Sequence, residues 1–314
     1  MKLYFAPMEG VGRYIYRNAY HANYQPLDKY FTPFLSPSQN KTMKTRDMQE
    51  VLPENNPGCH TVPQILTNQP ASFIELAKRL EQLGYGEVNL NLGCPSPTVV
   101  TKGKGSGFLA EPERLDRFLD GIFQGLDLKI SIKTRLGKED PEEFPGLLKI
   151  YNRYPMEELI IHPRIQTDYY KNQPNYEMFE LALRESKNPV CYNGDICSKT
   201  DYEALINRFP AVEAVMMGRG ILRNPMLPES LHGPVRPDKV RLRNFHDDIY
   251  EHYRKIMPGG HTVLFKMKEI WFHMIEMFED GAKYEKKIKK AQKPKDYEQI
   301  INKLFTERDL IRDM

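Results

Sequence analysis

Cys94 stands in the string Asn91-Leu92-Gly93-Cys94-Pro95, directly after the apolar, β-rich run 87–90. A thiol presented in a loop is available as a nucleophile or an acid, whereas one packed beside a proline is inert. Lys133 follows residues 129–132 in Lys-Thr-Arg-Leu-Gly, and His162 follows residues 158–161 in His-Pro-Arg. A lysine at such a place either snorkels to solvent or stands over a site as a fixed positive charge. His162 is a candidate contact beside it, and Arg164, two residues on, has the reach to meet a phosphate or an acidic partner. Asn193-Gly194-Asp195 is a turn signal, and Gly218-Arg219-Gly220 exposes backbone N–H groups. Both suit an anion. Lys102 and Lys104 add positive potential among Gly103, Gly105 and Gly107, which suggest mobility or close backbone contact.

Residues so far apart in sequence need a scaffold that collects them. Short apolar segments suited to strands recur at 3–6, 30–34, 61–66, 87–90, 129–132, 158–161, 190–192 and 214–217. Helical patterns lie between them. In 71–83, Phe73, Leu76, Ala77, Leu80 and Leu83 recur at spacings of three and four, one face of a helix. A second pattern spans 112–123, with Pro112 where a first-turn proline is tolerated. Eight strand–helix alternations predict an α/β fold, a parallel (β/α)8 TIM barrel. Pro7, Phe34, Gln64, Asn91, Lys133, His162, Asn193 and Gly218 then fall just past the strand ends, 25 to 42 residues apart. That is the end at which barrels do chemistry, and the loops after strands 7 and 8 commonly hold a phosphate. A doubly wound open sheet is the alternative. It calls for a glycine-rich fingerprint after the first strand, where the chain reads Ala6-Pro7-Met8-Glu9-Gly10-Val11-Gly12.

Past residue 236 the strand signal stops. Apolar stripes at Leu242/Phe245/Ile249/Tyr253, Met267/Ile270/Trp271/Met274 and Tyr297/Ile301/Leu304 predict a small all-helical C-terminal domain. The division expected is a barrel over 1–235 and helices over 236–314, joined by a proline-rich linker at 225–237. From Arg236 onward 18 Lys/Arg face 14 Asp/Glu, a surplus of four positive charges in a chain whose net charge is +3. The run 283–295 holds seven lysines against Glu285. Such a run is a solvated helix face or a surface for a phosphate backbone.

Composition bounds the rest. The 314 residues are 40% hydrophobic and 28% charged, enough for a packed core. No stretch is long and apolar enough for a membrane span, and the N-terminus lacks a secretory pattern, so a cytoplasmic protein is expected. Cys59, Cys94, Cys191 and Cys197 form no Cys-x-x-Cys pair. Four free and mostly buried thiols, with no metal site, are expected.

Together Ala-Pro-Met-Glu-Gly-Val at the start, Gln64, Asn-Leu-Gly-Cys-Pro, Ile-Lys-Thr-Arg-Leu-Gly, Ile-His-Pro-Arg, Asn-Gly-Asp-Ile and Met-Gly-Arg-Gly resemble the tRNA-dihydrouridine synthase family. The likeness covers residues 1 to about 225 in order and spacing, and the helical tail fits. It implies FMN-dependent, NADPH- or NADH-driven reduction of the uridine C5=C6 bond in tRNA. By the same resemblance Cys94 is the proton donor. Pro7, Met8 and Glu9 lie at the flavin-contacting first loop, Gln64 and Lys133 at the isoalloxazine edge, and His162 at a further cofactor contact. A lysine there stabilises the negative charge that a reduced flavin carries around N1 and the C2 carbonyl. Asn193, Gly194, Asp195, Gly218 and Arg219 correspond to the FMN phosphate cradle, and Asn91, Arg135 and Arg164 to substrate contacts. The chain departs from the family pattern at Pro97, Val100, Pro163 and Ile165. Two other functions fit the residues: a flavin barrel reducing a small molecule, and a non-catalytic RNA-binding barrel.

Overall fold

The computed structural model describes residues 1–37 and 43–311. Its strands are β1 (Lys2–Phe5), β2 (Lys29–Phe31), β3 (Thr61–Val62), β4 (Gln64–Ile65), β5 (Glu87–Leu92), β6 (Lys129–Gly137), β7 (Leu159–Ile165), β8 (Val190–Asn193) and β9 (Ala214–Met217). Every pairing among them is parallel, in the order β3-β2-β1-β9-β8-β7-β6-β5-β4. The two ends of that order are one stretch of chain. Pro63 has no N–H and divides the expected third strand, so β3 pairs with β2 and β4 with β5. Bonds from Leu35 N to Gln64 O, 2.7 Å, and from Asn89 N to Pro63 O, 2.8 Å, complete the closure. Eight barrel positions result, as the alternation predicts.

Strand alternation sorts the side chains. Val88, Leu90, Ile130, Ile132, Leu159 and Ile161 join the main apolar core, to which helices such as Pro70–Gln82 and Pro112–Gln124 also contribute. Both helices begin on a proline, whose missing N–H costs nothing at that position. Tyr4, Ala6, Phe31, Val62, Ile160, Cys191, Ala214 and Met216 form a second, smaller cluster.

The C-terminal segment forms four helices rather than three: Lys239–Ile256, Gly260–Met274, Gly281–Lys290 and Pro294–Glu307. Five of the seven lysines of the run lie on the helix Gly281–Lys290, of which only Gly281, Tyr284 and Ile288 are buried. These helices share the main core with the barrel. Phe245 meets Tyr16 and Tyr24 edge-on, each at 5.2 Å between centroids. The stretch 225–237 is fastened rather than slack. Glu229, in the short helix Leu227–Ser230, binds Arg241 and accepts from Gln25 N at 2.7 Å. Among the described residues, no helix is long and apolar enough to cross a membrane.

Candidate active site

A cavity of about 350 Å³ opens at the carboxyl ends of the strands. Its wall carries Pro7, Met8, Glu9, Gln64, Asn91, Cys94, Lys133, Arg135, His162, Asn193, Gly194, Asp195, Gly218 and Arg219. Asn91, Lys133, His162 and Asn193, expected just past the strands, instead lie within them, because β5, β6, β7 and β8 run further than the apolar segments. The parallel ladder continues through polar residues: Asn91 pairs with Lys133 and Arg135 with His162. Lys133 and Arg135, two apart on β6, therefore share a face and both reach the cavity.

Cys94 is half-buried, and its backbone is held at both ends. Its N–H donates to Asn91 Oδ1 at 2.9 Å, and its carbonyl accepts from Ser106 N and Oγ at 3.1 and 2.9 Å. Gly105, with φ +55°, passes so close that a Cβ would sit 2.7 Å from that carbonyl. Burial raises the Cys94 pKa; the Ser96 backbone N–H, Lys133 and Arg135 oppose the rise without cancelling it. At neutral pH the group is a thiol, and its anion has a hydrogen-bond donor and two cations beside it. The expectation of mostly buried cysteines fails: Cys191 alone is fully buried, and all four are free.

Among the described residues no carboxylate pairs with Lys133. Burial, helped by Arg135, lowers its pKa to about 8. His162 is buried, and its Nε2 lies 2.9 Å from Arg164 Nη1. A guanidinium can only donate, so Nε2 accepts and Nδ1 carries the proton. Burial first, then Arg135, Lys133, Arg164 and Arg219, hold its pKa well below the usual histidine value. The ring is neutral at pH 7.

Arg164 does not line the cavity. Its donors are committed to Asn172 O, His162 and the Asp195 carboxylate, so it supports the wall from behind. Arg135 faces the cavity but donates to three backbone carbonyls, Gly93, Ile165 and Tyr169, at 2.8–2.9 Å. The Tyr170 side chain engages the same guanidinium. Asp195 lies between Arg164 and Arg219, which leaves this trio with one net positive charge. Space is tight at the neighbouring glycines, most of all at Gly194, where the obstacle is a buried ring. A Cβ on Gly194 would lie 2.4 Å from Tyr192 Oη, and one on Gly218 2.8 Å from Met8 Sδ. A net cation beside side-chain-free backbone fits a phosphate, and an unpaired lysine fits an electron-rich ring edge.

Three wall residues escape a local reading. Tyr170 stacks on His162 at 5.9 Å and receives Arg135 and Arg219 against its ring at 5.3 and 5.0 Å. Its signal was a pair of tyrosines in a polar loop. Cys197 lies three residues from Gly194, and His273 comes from the C-terminal helix Gly260–Met274 with no local signal.

Fold and site define a (β/α)8 barrel with a cationic, thiol-bearing mouth. The model of the dihydrouridine synthase family matches residues 4–309. The chain belongs to that family, oxidoreductases acting on a CH–CH group. A probable tRNA-dihydrouridine synthase of Staphylococcus epidermidis is 29% identical over 257 residues, covering 80% of this chain and 78% of that one. Probable tRNA-dihydrouridine synthase 2 of Bacillus subtilis is 28% identical over 270 residues, with the same coverage. Among solved structures, morphinone reductase in complex with tetrahydroNAD aligns with a TM-score of 0.52 at 12% identity, over 74% of this chain and 86% of that one. The old yellow enzyme homologue of Zymomonas mobilis aligns with a TM-score of 0.51 at 11% identity, over 74% and 88%. These two likenesses concern the fold.

Proposed function

We propose that this chain reduces the C5=C6 bond of uridines in tRNA, with FMN as cofactor and NADPH or NADH as reductant. One observation carries the reading: the Cys94 thiol opens onto the same cavity as the unpaired Lys133 and the glycine–arginine cradle. FMN, when bound, supplies the electron pair that the double bond takes up. Asn193, Gly194, Asp195, Gly218 and Arg219 hold its phosphate, while Pro7, Met8, Glu9, Gln64, Lys133 and His162 serve its ring. Lys133 stabilises negative charge there, and neutral His162 offers Nδ1–H as a donor. Asn91 and Arg135 meet the uracil through the N–H groups that the protein has not already engaged.

Cys94 Sγ delivers a proton to C5. The raised pKa keeps that proton on sulfur until the base arrives. The thiolate left behind is stabilised by the Ser96 N–H, Lys133 and Arg135. These three groups offset part of the cost that burial places on the thiolate, so the proton stays on sulfur at rest and can still leave it.

The target base must leave its stack at a cost of about a few kcal/mol. In our reading residues 1–235 do the chemistry and 236–314 offset this cost by gripping the RNA. All seven lysines of the run 283–295 are exposed. Phe265 and Phe272, each 56% exposed, lie seven residues apart on the helix that supplies His273. Lys266 and Lys289 stand over their rings at 5.4 and 5.6 Å. Exposed rings beside ammonium groups suit unpaired bases on a phosphate backbone.

Incubation with NADPH and unmodified tRNA, or with free uridine or an activated alkene, tests the reading. Dihydrouridine should appear in tRNA alone. Reduction of the small molecules without tRNA reduction would assign a small-molecule reductase, and a colourless, flavin-free preparation a binding protein.

A further inference from the structure

A single file of hydrogen bonds runs through the barrel interior to the catalytic loop. Lys29 Nζ donates to Glu87 Oε2 at 2.7 Å, and Ser131 Oγ donates to Glu87 Oε1 at 2.7 Å. Asn89 Nδ2 donates to Ser131 Oγ at 3.0 Å, and Gln64 Nε2 to Asn89 Oδ1 at 2.8 Å. Asn91 Nδ2 donates to Gln64 Oε1 at 2.7 Å. Asn91 Oδ1 then accepts the backbone N–H groups of Gly93 and Cys94 at 3.1 and 2.9 Å. All these side chains are buried, and Gln64, Asn89 and Ser131 are wholly so.

The direction of the file is fixed independently from its two ends. A carboxylate bound by lysine only accepts, so Ser131 donates to Glu87 and has only lone pairs left for Asn89. Asn89 therefore shows its nitrogen to Ser131 and its oxygen to Gln64. From the other end, backbone N–H groups only donate, so Asn91 must show them its oxygen and turn its nitrogen to Gln64. Gln64 is then committed at both atoms, in the same sense from either side. An amide turned by half a revolution keeps its shape but exchanges donor for acceptor, and in this file any such turn sets like against like. Gln64 keeps one free N–H for the cavity, and so does Asn91.

We infer that Ser131, Asn89 and Glu87, none of which lines the active-site cavity, are positioning residues for the reaction. Together with the Gly93 and Cys94 N–H groups at the other end, they hold the Gln64 and Asn91 amides in place, so that the atoms offered to the bound molecules and the backbone of Cys94 keep one position. The inference rests on the reading of Cys94 as proton donor.

The test compares Ser131→Ala with Ser131→Thr, which keeps the hydroxyl. Three readouts apply: melting temperature, kcat and KM for tRNA reduction, and the iodoacetamide alkylation rate of each cysteine by peptide mapping. Ser131→Ala should lower kcat about tenfold or more with KM changed less than about twofold. It should shift the alkylation rate of Cys94 about fivefold or more, with Cys59 unchanged as internal control. Ser131→Thr should restore both. A folded Ser131→Ala protein with Cys94 alkylation and kcat within twofold of the parent would overturn the inference. If that variant does not fold, the unaltered chain decides. With 15N-glutamine labelling, the two Gln64 side-chain amide protons, identified by their loss in Gln64→Leu, should differ, the one bonded to Asn89 Oδ1 being protected from solvent exchange, and rapid exchange of both would refute the file. An unaltered chain that makes no dihydrouridine sinks the functional reading instead, while the alkylation comparison still judges the file.

Discussion

Lys133 carries a charge that the fold disfavours. Burial and Arg135 bring its pKa from 10.5 to about 8. Between those values the unfolded chain holds a proton that the folded chain has released, so stability rises with pH through that window. At pH 7 both states are charged and the folded one bears the penalty. Lys133→Met should raise stability at pH 7 by roughly 1–3 kcal/mol, the gain fading as pH rises from 8 to 10.5. Thermal melts across that range check it, and the same variant should reduce bound FMN more slowly. A loss of stability at pH 7 would show that the ammonium is satisfied in the fold. Cys94→Ala should keep FMN yet lose about 10²–10⁴-fold in tRNA turnover, the usual contribution of a proton donor. These residue types and their spacing were legible in the chain. The use of Arg164 was not, because whether a guanidinium faces a cavity or turns back onto Asp195 depends on a loop 31 residues away.

Elements set the tolerances around these groups. Gly105 and Gly194 separate two functions. In Gly105→Ala the new Cβ would meet the Cys94 carbonyl at 2.7 Å in a left-handed backbone, φ +55°. Turnover should fall at least tenfold with FMN affinity nearly unchanged. In Gly194→Ala the Cβ would meet Tyr192 Oη at 2.4 Å, and Tyr192 is buried. FMN titration into the apoprotein should show affinity weakened about tenfold or more, since the cradle must move. Equal effects of the two variants on both quantities would mean that the loops do not act separately. The alternation of strand and helix made this scaffold readable, but strand ends did not come with it. β6 and β7 continue into Lys133–Gly137 and His162–Ile165, whose polar residues look like loop. Their ladder holds because the barrel interior accepts alternate polar side chains, and the register shifts between Arg135 and Gly137, opposite Pro163.

For the whole molecule, the C-terminal helices complete the barrel mouth as well as extend it. They supply His273 to the cavity, and they carry the exposed lysines and the two phenylalanines. Replacing Lys286, Lys287, Lys289 and Lys290 with glutamine should flatten the salt dependence of tRNA affinity by about 3 in log–log slope. Phe272→Leu should weaken binding with the slope unchanged, because stacking releases no counterions. Filter binding across a salt series distinguishes the two, and an unchanged slope in the lysine variant would place the RNA surface elsewhere. The basic surplus was visible in the sequence; that the same helical segment supplies His273 to the cavity was not, since its placement depends on Phe245 docking against Tyr16 and Tyr24, over 220 residues away.

The central claim is that Cys94 protonates a uracil reduced in this cavity. The most direct measurement is dihydrouridine formed in unmodified tRNA by the FMN-loaded protein with NADPH, run beside Cys94→Ala at equal FMN content. The account predicts dihydrouridine with the parent chain and at least a hundredfold slower formation with the variant. Equal rates at neutral pH, or none in either, would contradict it.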